Sequence, residues 1–412
     1  MIYVENSNRA ESVENVKKGG VPVIIFGAGI VGEVLWQACR QAGINVEYFC
    51  DNNINKTKSL KCGIQVIHTK NIKTKYKDAI FLISAADIKD VVDQLQAMGF
   101  SKWHASSLLL RDFDLSQFKF NAPIDFVEFA VSTCLSCHDS YLSPDKLFMR
   151  SVDIIITERC SLKCMDCSNL MQYYKKPKDC DIDEIMQSVD VFCALADEVN
   201  EFRVIGGEPF MNKEIHTVIE RLIDEPKIRK VVIYTNGTIV PNEEQIERLN
   251  NTKVLLIITD YGMLSKNINP LTQILRQNNI SHYVTKAQGW ADCANLSKHY
   301  RNTEQQKEIF TNCCAKNTLT LSKGKLYRCP FAANADRLWA IPDYERDYVN
   351  IIQEPLKAMN SHEIKNKIRA LLVEKEFLET CDFCNGRPFG APEIQPAIQT
   401  SKPLEYTQCY SR

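Results

Sequence analysis

The chain has 412 residues, enough for two or three hydrophobic cores, and its 45% hydrophobic and 25% charged residues are a composition that folds without help. With 50 Lys and Arg against 51 Asp and Glu, the formal net charge of -1 gives no electrostatic reason for a nucleic-acid or anionic-membrane partner. The opening stretch MIYVENSNRAESVENVKKGG lacks the apolar core of a signal peptide, and no uninterrupted apolar run of about 18 residues follows. The expectation is a cytosolic protein, in which 17 cysteines point to metal binding or catalysis, because a reducing compartment disfavours structural disulfides.

In chain order, PVIIF at 22–26 reads as a short strand. Gly27, Gly29 and Gly32 follow it, and then a helical pattern through Val34, Leu35, Ala38 and Cys39. A second strand, VEYFCD, ends at Asp51, where a dinucleotide-binding fold sets an acid against a ribose hydroxyl. A third strand over 79–84 and a helix over about 87–98 complete a small Rossmann-like domain, 1–110. Its glycine turn serves either to bring a phosphate of a nucleotide or nucleotide sugar to the helix N-terminus, or simply to pack helix on strand. Residues 111–150 read as a connector with no sustained period. Within it Cys134, Cys137 and His138 spell CxxCH, the pattern of c-type haem attachment, although a zinc half-site or an inert thiol pair fits the same spacing.

From 151 to 300 strands and helices alternate. Strands over 152–156, 202–205, 230–234, 254–258 and about 282–285 are separated by amphipathic helical patterns such as Ile182, Ile185, Met186, Val189 and Phe192. Repeated β then α units predict parallel strands with right-handed crossovers, in a sheet or a full or partial barrel that binds ligands at the strand C-termini. Cys160, Cys164 and Cys167 stand just behind the first of these strands. Three soft donors without a nearby fourth leave a coordination position open, as metals that hold a substrate directly require.

The CxxxCxxC spacing of Cys160, Cys164 and Cys167 resembles that of the radical S-adenosylmethionine superfamily. The resemblance implies a partial (β/α)6 barrel over 151–300 and a [4Fe-4S] cluster whose unique iron chelates S-adenosylmethionine. Gly206, Gly207, Glu208 and Pro209 match the family's GGEP motif, whose backbone and carboxylate receive the methionyl amine. Thr235, Asn236 and Gly237 match its TNG turn, and Thr259 with Asp260 faces the ribose or the substrate. Singly, each of these has a bland reading as a turn, cap or solvated loop. One departure stands out, since the family's aromatic residue before the third cysteine is here Asp166.

Residues 301–412 are again led by cysteines. Cys314 and Cys329 flank NTLTLSKGKLYRCP, a β-hairpin about Lys323 and Gly324, and Cys381 and Cys384 form a CxxC after a helix over 362–373. Four such thiolates suit tetrahedral zinc or a [4Fe-4S] cluster equally. Their order resembles the Twitch subdomain, a shortened SPASM, which implies one auxiliary [4Fe-4S] cluster. Cys313 rivals Cys314 as first ligand, and Cys409 is left over.

The resemblance further implies cleavage of S-adenosylmethionine to a 5′-deoxyadenosyl radical, an electron donor such as flavodoxin or ferredoxin, and hydrogen abstraction from a small-molecule substrate. An auxiliary cluster favours oxidation, whereas epimerisation needs a hydrogen donor, for which Cys293 is a candidate thiol. The N-terminal segment resembles small Rossmann-like domains of sugar- and glycan-modifying proteins, so the expected substrate is a sugar, nucleotide sugar or glycan. The alternatives are a peptide- or protein-maturing radical enzyme and a non-catalytic, zinc-binding, nucleotide-sensing scaffold.

Overall fold

The computed structural model describes residues 9–18, 20–72, 76–352, 361–388 and 391–409. Residues 1–8 of the opening stretch lie outside them. The chain divides into two compact units, 1–146 and 147–412. No described helix is long and apolar enough to cross a membrane.

The first unit is built on strands β1 (Val23–Phe26), β2 (Val46–Asp51), β3 (Leu60–Lys61), β4 (Ile64–His68), β5 (Ile80–Ile83) and β6 (Trp103–Ala105), in the order β3-β4-β2-β1-β5-β6. All neighbours are parallel except the short β3–β4 pair. With β3 set aside this is the doubly wound order, and the strand order reverses between β1 and β5. Every residue of β1 is buried, as a strand covered on both faces requires. The helix Ile30–Ala42 ends at Gly43, whose φ of 73° lets its N–H and that of Ile44 close the last turn on Arg40 and Cys39.

The stretch 111–150, expected as a connector, contains the 19-residue helix Ile124–Leu142, whose Val127 and Val131 join the core of the first unit. Its pattern is hard to read because Thr133, Cys134, Ser136, Cys137 and His138 are buried as well. A face built of small polar residues carries no hydrophobic period.

The second unit holds β7 (Phe148–Ile155), β8 (Glu198–Ile205), β9 (Ile228–Thr235), β10 (Val254–Asp260), β11 (His282–Lys286), β13 (Leu319–Ser322), β14 (Lys325–Tyr327) and β15 (Tyr348–Asn350) in one eight-stranded sheet. A separate two-stranded pair joins β12 (Trp290–Ala291) to β16 (Glu393–Ile394). From β11 through β10, β9, β8 and β7 to β13 the neighbours are parallel, as a partial barrel requires. Val189 and Phe192 of the helix Ile182–Leu195 share one core cluster with Phe202 of β8 and Val231 of β9. The predicted hairpin is present as β13–β14, turning through Lys323 and Gly324 at φ 49° and 68°, the left-handed pair a two-residue turn needs. Because β13 pairs with β7, the hairpin extends the barrel sheet itself.

Candidate functional site

The loop after β7 folds back on the end of β8 through contacts that only glycine permits. A Cβ on Gly206 would lie 2.3 Å from Thr157 O, and one on Gly207 would lie 2.1 Å from Arg159 O and 2.9 Å from Cys160 Cβ. That approach lets Gly207 N–H donate to Thr157 O at 2.9 Å and Glu208 N–H to Arg159 O at 2.8 Å. The two glycines therefore seat the cysteine loop against the strand.

Glu208 is held by its own chain. Its side chain is fully buried, with Oε1 accepting from Thr235 Oγ1 at 2.8 Å and Phe210 N at 3.4 Å, and Oε2 accepting from Asn236 N at 2.8 Å. The carboxylate thus ties the GGEP segment to the TNG turn. Burial pushes its acid up to about 7, against the pull of these donors. Pro209 begins the short turn Pro209–Met211 behind it. Asn236 turns its amide to the cysteine loop, donating from Nδ2 to Ser161 Oγ at 3.1 Å and to Cys160 Sγ at 3.7 Å.

These elements enclose a cavity of about 380 Å³. Cys160, Cys164 and Cys167 line it, together with Gly206, Gly207, Asn236 and Thr259 from three strand ends. Asp153, Arg203 and Tyr234 form a polar wall from the barrel interior. Asp153 and Arg203 are register partners on β7 and β8, and Arg203 Nε donates to Asp153 Oδ1 at 2.5 Å beneath the ring of Tyr234. Tyr261 and Trp290, packed edge to face at 5.9 Å, complete the wall. Sequence reasoning missed both aromatics, because Tyr261 follows Thr259 and Asp260 in an ordinary loop and Trp290 lies beyond the last barrel strand.

Burial raises the thiols of the triad, that of Cys164 to about 11. A positive centre among them would reverse that preference and hold them as thiolates. Three soft donors on one wall, two of them receiving side-chain N–H groups, fit the iron–sulfur cluster that the spacing implied. Among the described residues no group of three or more His, Cys, Asp or Glu encloses a site for a single metal ion.

The family model for the radical SAM superfamily matches residues 154–262, the span from the end of β7 through the Tyr261 loop. This segment is a radical SAM domain. A second family model, described as C2185-like, N-terminal, matches residues 21–105. Among curated proteins, a GTP 3′,8-cyclase of Stenotrophomonas maltophilia is 37% identical over 87 residues, 21% of this chain and 26% of that protein. A GTP 3′,8-cyclase of Clostridium acetobutylicum is 27% identical over 148 residues, 31% of this chain and 45% of that protein. The chain thus spans less than half the length of these relatives. Among solved structures, BtrN in complex with AdoMet and 2-DOIA is 15% identical, with a TM-score of 0.36 over 59% of this chain and 94% of that one. Native anSMEcpe with bound AdoMet and Cp18Cys peptide is 14% identical, with a TM-score of 0.35 over 60% of this chain and 92% of that one.

Around the radical SAM domain the later cysteines fall into two places. Burial raises the thiols of Cys381 and Cys384, and each also feels that of Cys329. Cys329, pushed up to about 12 chiefly by burial, has Cys313 as its first charged neighbour. Cys314 instead lines the main cavity, and its own thiol responds to Cys313 and Cys293. Cys293 is buried with its sulfur 2.9 Å from Arg387 Nε, and Arg387 also lines the cavity. Asp166 is not among the lining residues.

In the first unit the start of the glycine turn is engaged by its own chain. Gly27 N–H donates to Cys50 O at 2.8 Å, and Ala28 N–H donates to Asp51 Oδ2 at 2.9 Å. Asp51 also accepts from Asn53 N at 2.8 Å and from Lys56 Nζ at 2.9 Å. Gly27, at φ 110°, and Gly32 are required by packing, since a Cβ on Gly32 would lie 2.1 Å from Gly27 O, whereas nothing lies within 4 Å of a Cβ on Gly29. Ser84 Oγ closes on Phe26 O and Gly27 O at 2.9 and 3.0 Å, where the strand order reverses. Asp51, expected to meet a ribose, is thus paired with its own chain, while no side chain caps the helix at Gly29.

The CxxCH residues are equally internal. His138 is fully buried, its Nδ1 accepts from Ser106 N at 3.1 Å, and its Nε2 lies 2.8 Å from Ala85 O. Nε2 therefore carries the proton, and burial holds the ring neutral, lowering its pKa to about 4. Cys134 packs between Ser106 Oγ and His138 at 3.3 and 3.4 Å. A covalent haem would need these thiols at the surface, and both are buried.

Proposed function

We propose that the chain is a radical SAM enzyme that oxidises or epimerises a sugar, nucleotide sugar or glycan. The observation that carries the reading is the cavity in which the cysteine triad, the glycine pair, Asn236 and Thr259 meet the polar wall of Asp153, Arg203 and Tyr234. When bound there, the cluster and S-adenosylmethionine together supply a carbon-centred radical able to remove a substrate hydrogen atom. Cys160, Cys164 and Cys167 would hold the cluster. The backbone at Gly206 and Gly207 would receive the methionyl group, and Thr259, Tyr261 and Trp290 would bound the nucleoside. A wall carrying a carboxylate, a guanidinium and a phenol offers donors and acceptors at fixed positions, which suits a hydroxyl-rich substrate.

Cys329, Cys381 and Cys384, with Cys313 or Cys314, would hold an auxiliary cluster. Such a cluster would supply an acceptor for the second electron of an oxidation, with a proton released. In epimerisation a thiol returns a hydrogen atom instead, and Cys314 on the cavity wall is better placed for this than the buried Cys293.

The test is substrate-dependent formation of 5′-deoxyadenosine by reduced, reconstituted enzyme offered nucleotide sugars, glycans or peptides in turn. Stimulation by carbohydrates is expected. Stimulation by peptides alone would replace the substrate class, and a colourless, zinc-loaded protein would remove the enzyme reading altogether.

A further inference from the structure

Residues 393–409 have almost no regular structure, yet they are held down at short intervals. β16 pairs with β12, Leu404 N–H donates to Gln172 O at 2.8 Å, and Cys409 N–H donates to Trp339 O at 2.7 Å. Between these anchors the segment crosses the cysteine loop. Met165 N–H donates to Ile398 O, and Thr400 N–H donates to Lys163 O, both at 2.7 Å, so the two bonds bracket Cys164. Ala397 turns at a φ of 57° and is buried in one cluster with Leu162 and Cys164.

The side chain of Gln399 fills the gap between those bonds. Lys163 N–H is a donor, so the atom facing it at 2.8 Å must be Oε1. Nε2 is then left with two hydrogens and two acceptors, Ala397 O at 2.8 Å and Cys164 Sγ at 3.3 Å. The amide is fixed on all sides, and one of its N–H bonds is aimed at a sulfur.

We infer that Gln399 is a positioning residue for the cluster of the triad. It fixes Cys164 and donates an N–H···S bond that stabilises the more negative, reduced state of the cluster. Hydrogen bonds to ligating sulfurs and exclusion of solvent are what set the potential of such centres. Asn236 makes the longer counterpart to Cys160, so two of the three thiolates are tuned by amides, one from the barrel and one from the C-terminal strap. The inference rests on the radical SAM reading of the triad.

The full chain, loaded anaerobically with iron and sulfide, is compared with Gln399→Leu and Gln399→Glu. The signal followed is the electron-paramagnetic resonance signal that changes on adding S-adenosylmethionine, which belongs to the triad. Both variants are expected to show a more negative midpoint potential for that signal and about tenfold faster loss of its iron to a chelator. Gln399→Glu keeps an acceptor for Lys163 N–H but no donor for sulfur, so it separates loop anchoring from the N–H···S bond. Unchanged potential and iron loss in folded variants overturn the inference. Should neither variant fold, hydrogen exchange in the unaltered chain decides. Slowing of Met165 and Thr400 amides on cluster loading supports the inference, and exchange indifferent to loading overturns it. An unaltered chain with no S-adenosylmethionine-responsive signal is a different failure, that of the triad reading itself.

Discussion

Each unit sets a glycine turn at the end of a parallel strand and a carboxylate beside it, Gly27 with Asp51 in the first and Gly206 and Gly207 with Glu208 in the second. In both, the carboxylate faces backbone N–H groups of its own chain. The difference lies in what the turn leaves open. In the first unit Ser84 and Asp51 take up the start of the turn, while in the second the turn forms one wall of a cavity that the thiols of the triad also line. A glycine motif at a strand end therefore shows that backbones approach closely there. Whether a ligand or another strand is the thing approached depends on the donors left free.

The comparison breaks most sharply at the triad. Replacing Cys160, Cys164 and Cys167 together with Ala should abolish 5′-deoxyadenosine formation and remove the S-adenosylmethionine-responsive signal, while iron held by Cys329, Cys381 and Cys384 remains. Iron analysis beside the spectrum checks both. Equal loss of all iron would mean that the two cysteine sets do not assemble independently.

Next comes Glu208, whose role as a strut makes a pH prediction. Its folded acid lies near 7 because of burial, above the ordinary glutamate value of 4.5. The folded state therefore holds the proton more tightly than the unfolded one. Stability is fully present below about 4.5 and falls as pH rises through about 7. A loss on the order of 1–3 kcal/mol should appear in urea midpoints of the metal-free chain between these limits. Glu208→Gln puts an amide that cannot ionise in place of the carboxyl, so it should flatten the slope. An unchanged slope would assign the titration to another group.

The parts of this picture legible in the sequence share one property, that their signal lies within a few residues. The strand and helix periods around Val152, Phe202 and Val231 are local, and so are the cysteine triad and the Lys323–Gly324 turn. Gln399 touching Cys164 is a contact across 235 residues, and nothing in SKPLEYTQCY or the residues before it marks a strap. The helix 124–142 was hidden because its buried face is made of Cys, Ser, Thr and His. Asp51 sits where a ribose-binding acid would, but Lys56, five residues on, takes up the same carboxylate. Cys313 and Cys314 are indistinguishable by spacing, and they separate only in the fold, where Cys314 lines the cavity and Cys313 neighbours Cys329.

The smallest effects test the first unit directly. Gly32→Ala would push a Cβ to 2.1 Å from Gly27 O and should cost about 1–3 kcal/mol, because neither backbone has room to yield. Asp51→Asn removes the negative partner of Lys56 and one certain acceptor for Ala28 N–H, and should cost about 1–2 kcal/mol. Gly29→Ala meets nothing within 4 Å, so only the poorer N-cap preference of Ala acts, and it should cost about 0.5–1 kcal/mol. Calorimetry of the three variants, with and without an added nucleotide, reads both halves of the argument. If the turn is a structural device, the ranking Gly32, Asp51, Gly29 holds and nucleotide leaves the first unit's transition where it was. If Gly29→Ala abolished a nucleotide-induced rise in that transition, the open space beside Gly29 would be a binding site after all, and the contrast between the two glycine turns would disappear.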